Sequence, residues 1–192
     1  MSEVPVGLYL SEDVITEDEE REIIKWLDEQ KWSTVLKRRT QHYGYEYNYG
    51  SKGVKPTTPM SGPILKLEQK FAQKVSFNFN PFNFDSFNFD QCIVNEYYRD
   101  QGISEHIDSD NFGPVILGLS IGSHANMIFT KDSEKYIAYL PPRSLVMLTG
   151  DARTSWKHSI PTTKYVITSE GLIPKDTNYR RISLTYRTVN KY

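Results

Sequence analysis

The C-terminal half of the chain is a series of short segments separated by turn residues, and this pattern restricts the possible folds more than any other feature. The segments that read as strands are Gln91–Tyr98, Pro114–Ile121, Ala125–Thr130, Lys135–Leu140, Ser144–Leu148, Tyr165–Ser169 and Arg181–Thr188. Many short strands after one or two N-terminal helices predict a double-stranded β-helix, or jelly-roll, core with the helices packed outside it. The fold class is therefore α+β, mainly β, in a single domain over residues 1–192.

Two helices are expected before these strands. Thr16 followed by Glu19 is a capping-box pattern, which starts a helix within the segment Ile15–Trp32. Apolar residues recur at helical spacing inside this segment and give the helix one face that packs on a sheet. A second, shorter helix is expected at Ile64–Val75.

Between the two expected helices, similar residue types recur at every second position instead of at helical spacing. The residues that alternate with polar neighbours are Tyr43, Tyr45, Tyr47 and Tyr49. They predict one extended strand with a tyrosine face. The stretch 50–63, rich in Gly, Pro, Ser and Thr, reads as a loop. The Phe/Asn-rich tract 77–90 is of low complexity, and no function is assigned to it.

Composition excludes several classes of protein. The chain has 23 Lys and Arg against 24 Asp and Glu, so no global positive field attracts nucleic acid, and any such binding needs a local patch. The one cysteine, Cys92, excludes a disulfide framework and a multi-thiolate zinc site and is typical of a reducing compartment. No apolar run reaches the length of a bilayer span, and the N-terminus lacks a signal-peptide pattern. We therefore expect an intracellular, cytoplasmic protein that does not bind membranes.

His106-Ile107-Asp108 is the first candidate for chemistry. On an extended segment, residues two apart point to the same side, so an imidazole and a carboxylate would face one centre. His158 is placed where a returning strand could bring it beside them, and two histidines with one carboxylate form the facial triad that holds ferrous iron with three open positions. Taken alone, the His-x-Asp pattern also fits a solvated histidine beside a turn aspartate.

The last predicted strand has one polar and one apolar face. Its polar residues are Arg181, Ser183, Thr185 and Arg187. Arginines that extend into solvent would give the same pattern. If this face instead lines a barrel interior, two guanidinium groups without partners are costly, and the site must supply anions; a small dicarboxylate would satisfy both. Asn95 and Tyr97 share a face of another strand and offer hydrogen-bonding groups suited to a carboxylate or keto acid.

With these residues assembled, the chain resembles the AlkB family of iron(II)- and 2-oxoglutarate-dependent dioxygenases. The resemblance extends from about Lys37 to Arg187. Its motifs occur in the family's order: Asn95-x-Tyr97, His106-x-Asp108, His158 and Arg181-x5-Arg187. An ordered set of this kind is far more specific than any one of its members.

The resemblance implies a role for each matching residue. The implied Fe(II) ligands are His106, Asp108 and His158. The implied 2-oxoglutarate contacts are Asn95, Tyr97, Arg181, Ser183 and Arg187. Arg181 would pair with the distal carboxylate, and Arg187 would lie near the metal-bound end. Ser183 departs from the pattern, since several family members carry Asn at this position.

The resemblance also implies the reaction. Such an enzyme uses Fe(II), 2-oxoglutarate and dioxygen, releases succinate and carbon dioxide, and hydroxylates a substrate carbon. A hydroxyl group placed on an N-methyl carbon is lost with that carbon as formaldehyde. A hydroxyl group on a carbon-bound side chain stays in the product.

The segment 37–47 points to nucleic acid, because it combines a basic cluster with tyrosines that could stack on bases. The substrate-binding candidates are Arg38, Arg39, Tyr43 and Tyr45. A solvated turn followed by a strand with one buried face would look the same. The segment, with residues 140–145 and 149–153, looks most like the AlkB homologues that hydroxylate 5-methoxycarbonylmethyluridine at the tRNA wobble position. We therefore expect tRNA as the partner and a separate tRNA methyltransferase that prepares this substrate.

Asp110 favours a different substrate. The pattern His106-x-Asp108-x-Asp110 matches family members that remove methyl groups from nucleobases, where the second acidic residue faces the damaged base. Asp110 could equally initiate a turn. Oxidative demethylation of N-alkylated bases in DNA or RNA is therefore the alternative enzyme function. A catalytically silent nucleic-acid-binding module and a hydroxylase of protein side chains are the remaining alternatives on the same fold.

Overall fold

In the computed structural model, which describes residues 3–48, 53–78 and 88–190, two antiparallel sheets face each other and two helices cover the outer side of the larger sheet. The helices are α1 (Glu17–Glu29), α2 (Gly62–Asn78) and the short α3 (Gly150–Thr154). The strands are β1 (Leu8–Ser11), β2 (Thr40–Tyr43), β3 (Tyr45–Asn48), β4 (Gly53–Pro56), β5 (Gln91–Tyr98), β6 (Ile103–His106), β7 (Phe112–Gly122), β8 (Ala125–Lys131), β9 (Glu134–Leu140), β10 (Ser144–Leu148), β11 (Lys157–Ile160), β12 (Tyr165–Thr168), β13 (Gly171–Pro174) and β14 (Arg180–Val189).

The larger sheet has six strands in the order β1-β10-β7-β14-β5-β2, and the smaller sheet has four in the order β6-β11-β8-β9. The pairings within both sheets are antiparallel. Two hairpins, β3–β4 and β12–β13, lie beside them. This arrangement confirms the jelly-roll expectation. The predicted strands Gln91–Tyr98 and Ser144–Leu148 coincide with β5 and β10 from end to end.

Helix α1 begins with the predicted capping box. Thr16 Oγ1 accepts a hydrogen bond from the Glu19 amide (3.2 Å), and Glu19 Oε2 accepts one from the Thr16 amide (2.7 Å). Ile23 and Leu27 are buried against the larger sheet, as the helical spacing of apolar residues predicts. The second predicted helix is α2. Among the described residues, no helix combines the length and the apolar composition that crossing a bilayer demands.

Strand β14 shows how the larger sheet separates its two faces. Ile182, Leu184 and Tyr186 are buried in the core under α1 and α2. Arg181 and Ser183 point the other way and line a cleft between the two sheets. The period of two in a strand produces this separation. A second apolar cluster fills another part of the space between the sheets.

The tyrosine-rich segment is not one strand, which corrects the expectation from the sequence. Gly44, at φ 73°, adopts a left-handed conformation between β2 and β3. A Cβ at this position would lie 1.8 Å from the Asp90 carbonyl oxygen, so the site requires glycine. Strand β2 joins the larger sheet, whereas β3 pairs with β4. Tyr43 consequently packs on α1, while Tyr47 lies against Phe112 with ring centroids 5.8 Å apart.

Two further segments differ from a simple loop. The expected loop at 50–63 contains strand β4, so that interpretation is wrong for 53–56, where the chain returns along β3. Residues 49–52 lie outside the described part of the chain, and Tyr49 is among them. Within the Phe/Asn-rich tract, residues 79–87 also lie outside it, and Phe89 is buried in the core.

Candidate active site

Strand pairing brings the three predicted metal ligands together at one end of the cleft. His106 ends β6, His158 lies in β11, and the register of this antiparallel pair sets the two residues directly opposite each other. Their ring centroids are 4.4 Å apart. Asp108 follows shortly after β6, and the ligand atoms of the three side chains all lie within 4.8 Å of one another.

Burial and neighbouring charges hold His158 and Asp108 in the forms that a divalent cation binds. His106 Nδ1 lies 2.8 Å from the Ser104 carbonyl oxygen, so Nδ1 is a donor and Nε2 is the nitrogen left to face a cation. Burial lowers the pKa of His158 to about 4, Asp108 opposes this shift and Arg187 adds to it, so the imidazole is neutral at pH 7. Burial alone would raise the pKa of Asp108, but the positive charge of Arg187 and other neighbours holds it below its ordinary value.

This donor set fits ferrous iron. Two imidazoles and one carboxylate form a facial triad, which leaves coordination positions for other ligands. His158 Nε2 and Asp108 Oδ2 are 3.5 Å apart, so both donor atoms face the same point. Because the imidazole is neutral, this contact is not an ion pair.

Arg153 fixes the loop that carries Asp108. Its buried guanidinium donates to the backbone carbonyls of Asp108 (2.9 Å), Ser109 (2.9 Å), Phe112 (3.2 Å) and Gly113 (3.3 Å). In the sequence, Arg153 is noted only as part of residues 149–153, which resemble AlkB homologues, and this role is not predicted. No local pattern could reveal it, because the partners are main-chain atoms of a loop distant in sequence.

Arg181 lies in the wall of the cleft and is 1% exposed. Its Nη2 donates to Ser120 Oγ (2.7 Å), and its guanidinium lies over the Tyr97 ring at 5.2 Å. Within the described residues, Nε and Nη1 have no hydrogen-bond partner. Burial lowers the pKa of Arg181, but arginine stays protonated in proteins. A buried cation of this kind requires an anionic ligand, and the distal carboxylate of a keto diacid fits.

Arg187 lies on the same face of β14, next to the triad. It donates from Nη2 to Asp108 Oδ1 and from Nη1 to Gln91 Oε1 (3.1 Å), and its guanidinium lies over the Phe112 ring at 4.7 Å. Its buried Nε has no partner in the part of the chain that the structure describes. The two arginines therefore occupy different environments, one without a carboxylate and one paired with a triad member.

A row of polar side chains crosses the cleft between these arginines. The strand register places Asn95 beside Ser183 and Ser183 beside Ser120. Asn95, Ser183 and Tyr97 all line the cleft. Asn95 Oδ1 accepts a hydrogen bond from Arg38 Nε (2.9 Å), so the amide nitrogen of Asn95 is the group that can donate to a ligand. These positions agree with the cosubstrate contacts that the resemblance implies.

Arg38 and Arg39 lie on opposite faces of the larger sheet. Arg38 reaches the cleft, where it contacts Asn95. Arg39 forms a bidentate ion pair with the fully buried carboxylate of Glu96 and stacks on Trp32 at 4.6 Å. This ion pair argues against Arg39 as a substrate-binding residue, because its guanidinium is already neutralised on the helix side.

Glu96 is a second charged residue whose role sequence reasoning missed. It also accepts a hydrogen bond from Arg180 Nε (2.7 Å), and Arg180 pairs in turn with Asp28 of α1. Its position in the sequence could have revealed it. Glu96 is adjacent to Asn95 on a strand, so the two side chains point to opposite faces and Glu96 lies on the apolar side of β5. A carboxylate on the buried face of a strand needs cationic partners.

The remaining substrate-binding candidates lie in different environments. Tyr43 is 5% exposed and donates from its hydroxyl to Gln41 Oε1 (2.8 Å), so it has no face for base stacking, and that expectation is corrected. Tyr45 is half-buried at the start of β3. Asp110 is exposed on the loop that follows Asp108.

Comparison with known proteins agrees with this geometry. The family model described as 2OG-Fe(II) oxygenase superfamily matches residues 7–187. An uncharacterised protein of Acanthamoeba polyphaga mimivirus is 35% identical over 96% of this chain and 86% of its own length. The Arabidopsis thaliana alkylated DNA repair protein ALKBH8 homolog is 34% identical over 97% of this chain and 59% of that protein.

The tRNA (carboxymethyluridine(34)-5-O)-methyltransferase ALKBH8 of Macaca fascicularis is 31% identical over 98% of this chain but only 31% of that protein. This chain therefore corresponds to one part of the two longer relatives. Among solved structures, OsALKBH1 superimposes with a TM-score of 0.69 over 98% of this chain and 99% of that one. At 16% identity, this likeness establishes a shared fold.

Proposed function

The chain belongs to the AlkB family within the 2OG-Fe(II) oxygenase superfamily, and from this premise we propose that it hydroxylates 5-methoxycarbonylmethyluridine at the wobble position of tRNA. It is an Fe(II)- and 2-oxoglutarate-dependent dioxygenase, as the sequence predicts, rather than a silent binding module. One observation carries the oxygenase part of the proposal. The cleft has the His-Asp-His cluster at one end and, farther along β14, the buried Arg181, two of whose nitrogens have no hydrogen-bond partner among the described residues.

We assign His106, Asp108 and His158 as the Fe(II) ligands and Arg181 as the partner of the distal carboxylate of 2-oxoglutarate. When bound, Fe(II), 2-oxoglutarate and dioxygen supply an oxidation that yields succinate and carbon dioxide and places one oxygen atom in a substrate C–H bond. Arg187 holds Asp108 in its ionised form and in a fixed orientation. Arg181 sets the depth and direction of the cosubstrate, because its guanidinium is rigidly enclosed.

The nucleic-acid substrate is supported by the relatives and by Arg38. One relative is named for alkylated DNA repair and the other for modification of a tRNA uridine. Arg38 places a cation at the cleft, where the backbone of a bound nucleotide would pass. Because the substrate uridine carries a methyl ester, we propose that a separate tRNA methyltransferase supplies it. The fully buried thiol of Cys92 is compatible with the reducing cytoplasm, which we propose as the site of action.

The direct test uses purified protein, Fe(II), 2-oxoglutarate and tRNA that carries 5-methoxycarbonylmethyluridine. Digestion to nucleosides and mass analysis should show one added oxygen atom on the modified uridine. His106→Ala should abolish both this product and succinate formation, since one triad ligand is lost. Persistent succinate formation in that variant would contradict the metal assignment.

Asp110 favours a second candidate, the oxidative demethylation of N-alkylated bases. Its exposed carboxylate follows the triad loop and could face a methylated base. Oligonucleotides with methylated adenine or cytosine should then release formaldehyde, which the hydroxylation of an uridine side chain does not. The absence of formaldehyde with both bases would remove this candidate.

A further inference from the structure

His42 lies on the cleft side of β2, the strand at one edge of the larger sheet. The side chains of its two sequence neighbours, Gln41 and Tyr43, point to the helix side. Gln41 donates a hydrogen bond to a backbone carbonyl of α1 (2.9 Å), and Tyr43 packs on the same helix. The period of two therefore directs His42 toward the cleft. The register sets His42 beside Ile93 and Ile93 beside Thr185, a residue that lines the cleft.

The imidazole of His42 has one nitrogen with a protein partner and one without. Nε2 lies 3.3 Å from Thr40 Oγ1. Nδ1 is buried and, among the described residues, has no hydrogen-bond partner. A buried polar atom left unpaired destabilises the folded state, so folded proteins retain few of them. A nitrogen of this kind on the cleft side of the sheet is expected where a ligand supplies the missing partner.

Burial and nearby cations disfavour the charged form of this imidazole. Burial lowers the pKa of His42, and the cations Arg187 and Arg38 lower it further against the opposing charge of Glu46. A neutral imidazole carries one donor and one acceptor nitrogen. His42 thus lies within electrostatic reach of Arg187 at the metal end and of Arg38 beside Asn95, without being charged itself.

We propose that His42 binds the nucleic-acid substrate and that its Nδ1 forms a hydrogen bond with the polar edge of the target base. This inference rests on the proposed function and adds a base contact to it. Uracil presents carbonyl oxygens and an N–H group along its pairing edge, and one neutral imidazole nitrogen can pair with either type of group. The cosubstrate is the poorer partner, because its two carboxylates require cations.

Three substitutions separate the two ring nitrogens. His42→Asn keeps a polar atom near the position of Nδ1, His42→Gln keeps one near Nε2, and His42→Phe keeps only the ring. With tRNA that carries 5-methoxycarbonylmethyluridine as the probe, kcat/KM should fall about 10- to 100-fold for the Gln and Phe variants and less than about fivefold for Asn. Fluorescence anisotropy with labelled tRNA should show a parallel loss of affinity. The matched control Thr40→Val, which removes only the Nε2 partner, should change kcat/KM less than about threefold.

Two results would overturn the inference. Rescue by Gln but not by Asn would mean that the contact with Thr40 matters and that the role is structural. A selective rise in KM for 2-oxoglutarate would place the cosubstrate, not the base, at Nδ1. If the wild-type protein consumes 2-oxoglutarate but oxidises neither tRNA nor methylated oligonucleotides, the proposed function fails first and the base contact with it. Should the Phe variant not fold, the comparison of Asn with Gln still decides.

Discussion

The two faces of the larger sheet give different partners to the members of two adjacent arginine pairs. Two pairs of adjacent arginines, Arg38–Arg39 and Arg180–Arg181, each place one guanidinium on the helix face and one in the cleft. On the helix face, Arg39 and Arg180 share the buried carboxylate of Glu96. In the cleft, Arg181 contacts a serine hydroxyl and Arg38 a side-chain amide, and within the described residues neither has a carboxylate partner.

This difference separates stability from binding capacity. A cation that is neutralised inside the protein contributes to the folded state but has little left to offer a ligand. A buried cation without an anion destabilises the free protein by several kcal/mol, and an anionic ligand recovers that free energy on binding. The contrast therefore supports the proposal that Arg181 belongs to a binding site, without reference to any relative.

The largest effect is expected on 2-oxoglutarate affinity, when the two members of the pair Arg180–Arg181 are substituted separately. Arg181→Met should weaken 2-oxoglutarate binding at least about 100-fold, because charge-assisted hydrogen bonds of roughly 1.5–3 kcal/mol each are lost. Its thermal midpoint should stay constant or rise, since no protein carboxylate loses a partner. Calorimetric titration with 2-oxoglutarate and thermal unfolding measure the two quantities.

Arg180→Met is the matched control for this prediction. It should leave 2-oxoglutarate affinity within about threefold and should lower the free energy of unfolding by about 1–3 kcal/mol, because Asp28 and Glu96 each lose a partner. Equal effects of the two substitutions on binding would contradict the division between the faces.

The next largest effect is expected on stability, when Glu96, the carboxylate that Arg39 and Arg180 share, is substituted. Glu96→Gln removes the negative charge between Arg39 and Arg180, which then repel each other on the helix face. Because their side chains keep 34% and 27% exposure, water compensates in part, and we expect a loss of about 1–3 kcal/mol in the free energy of unfolding. Urea unfolding checks this value, and an unchanged KM for 2-oxoglutarate would confine the effect to stability.

The smallest effect concerns the first arginine pair and nucleic acid. If Arg38 contacts a phosphate, Arg38→Gln should reduce the slope of log affinity against log salt by about 0.7–0.9. Arg39→Gln should leave that slope unchanged and lower stability instead, because its guanidinium pairs with Glu96. Measurement of tRNA binding at several salt concentrations distinguishes them. A wild-type slope for both variants would place neither arginine on a phosphate, and an equal reduction for both would contradict the division between Arg38 and Arg39.

Much of the fold follows from local patterns. The capping box of α1, the ends of β5 and β10, and the alternation along β14 are properties of neighbouring residues, and the structure confirms each of them. The candidate triad is also visible as a motif. Its assembly depends on the pairing of β6 with β11, which joins segments that the sequence alone leaves apart.

The residue roles that the sequence did not predict share one cause, which is that they depend on contacts between distant segments. Arg39 and Tyr43 are read from sequence as surface residues, yet one pairs with Glu96 and the other packs on α1. Gly44 contributes to this outcome because its positive φ ends β2 and sends the tyrosine segment into a second element. Arg153 binds main-chain carbonyls, so its role has no counterpart in side-chain spacing.

By itself, the sequence determined which side chains lie together on a strand and which residues could bind a metal and a dicarboxylate, because alternation and donor chemistry are local properties. Only the tertiary structure decided which face of each strand became the cleft. That choice depends on where the helices pack and on which distant carboxylates reach each guanidinium. Arg38 and Arg39 differ by one position in the chain, yet packing leaves one beside the site and neutralises the other.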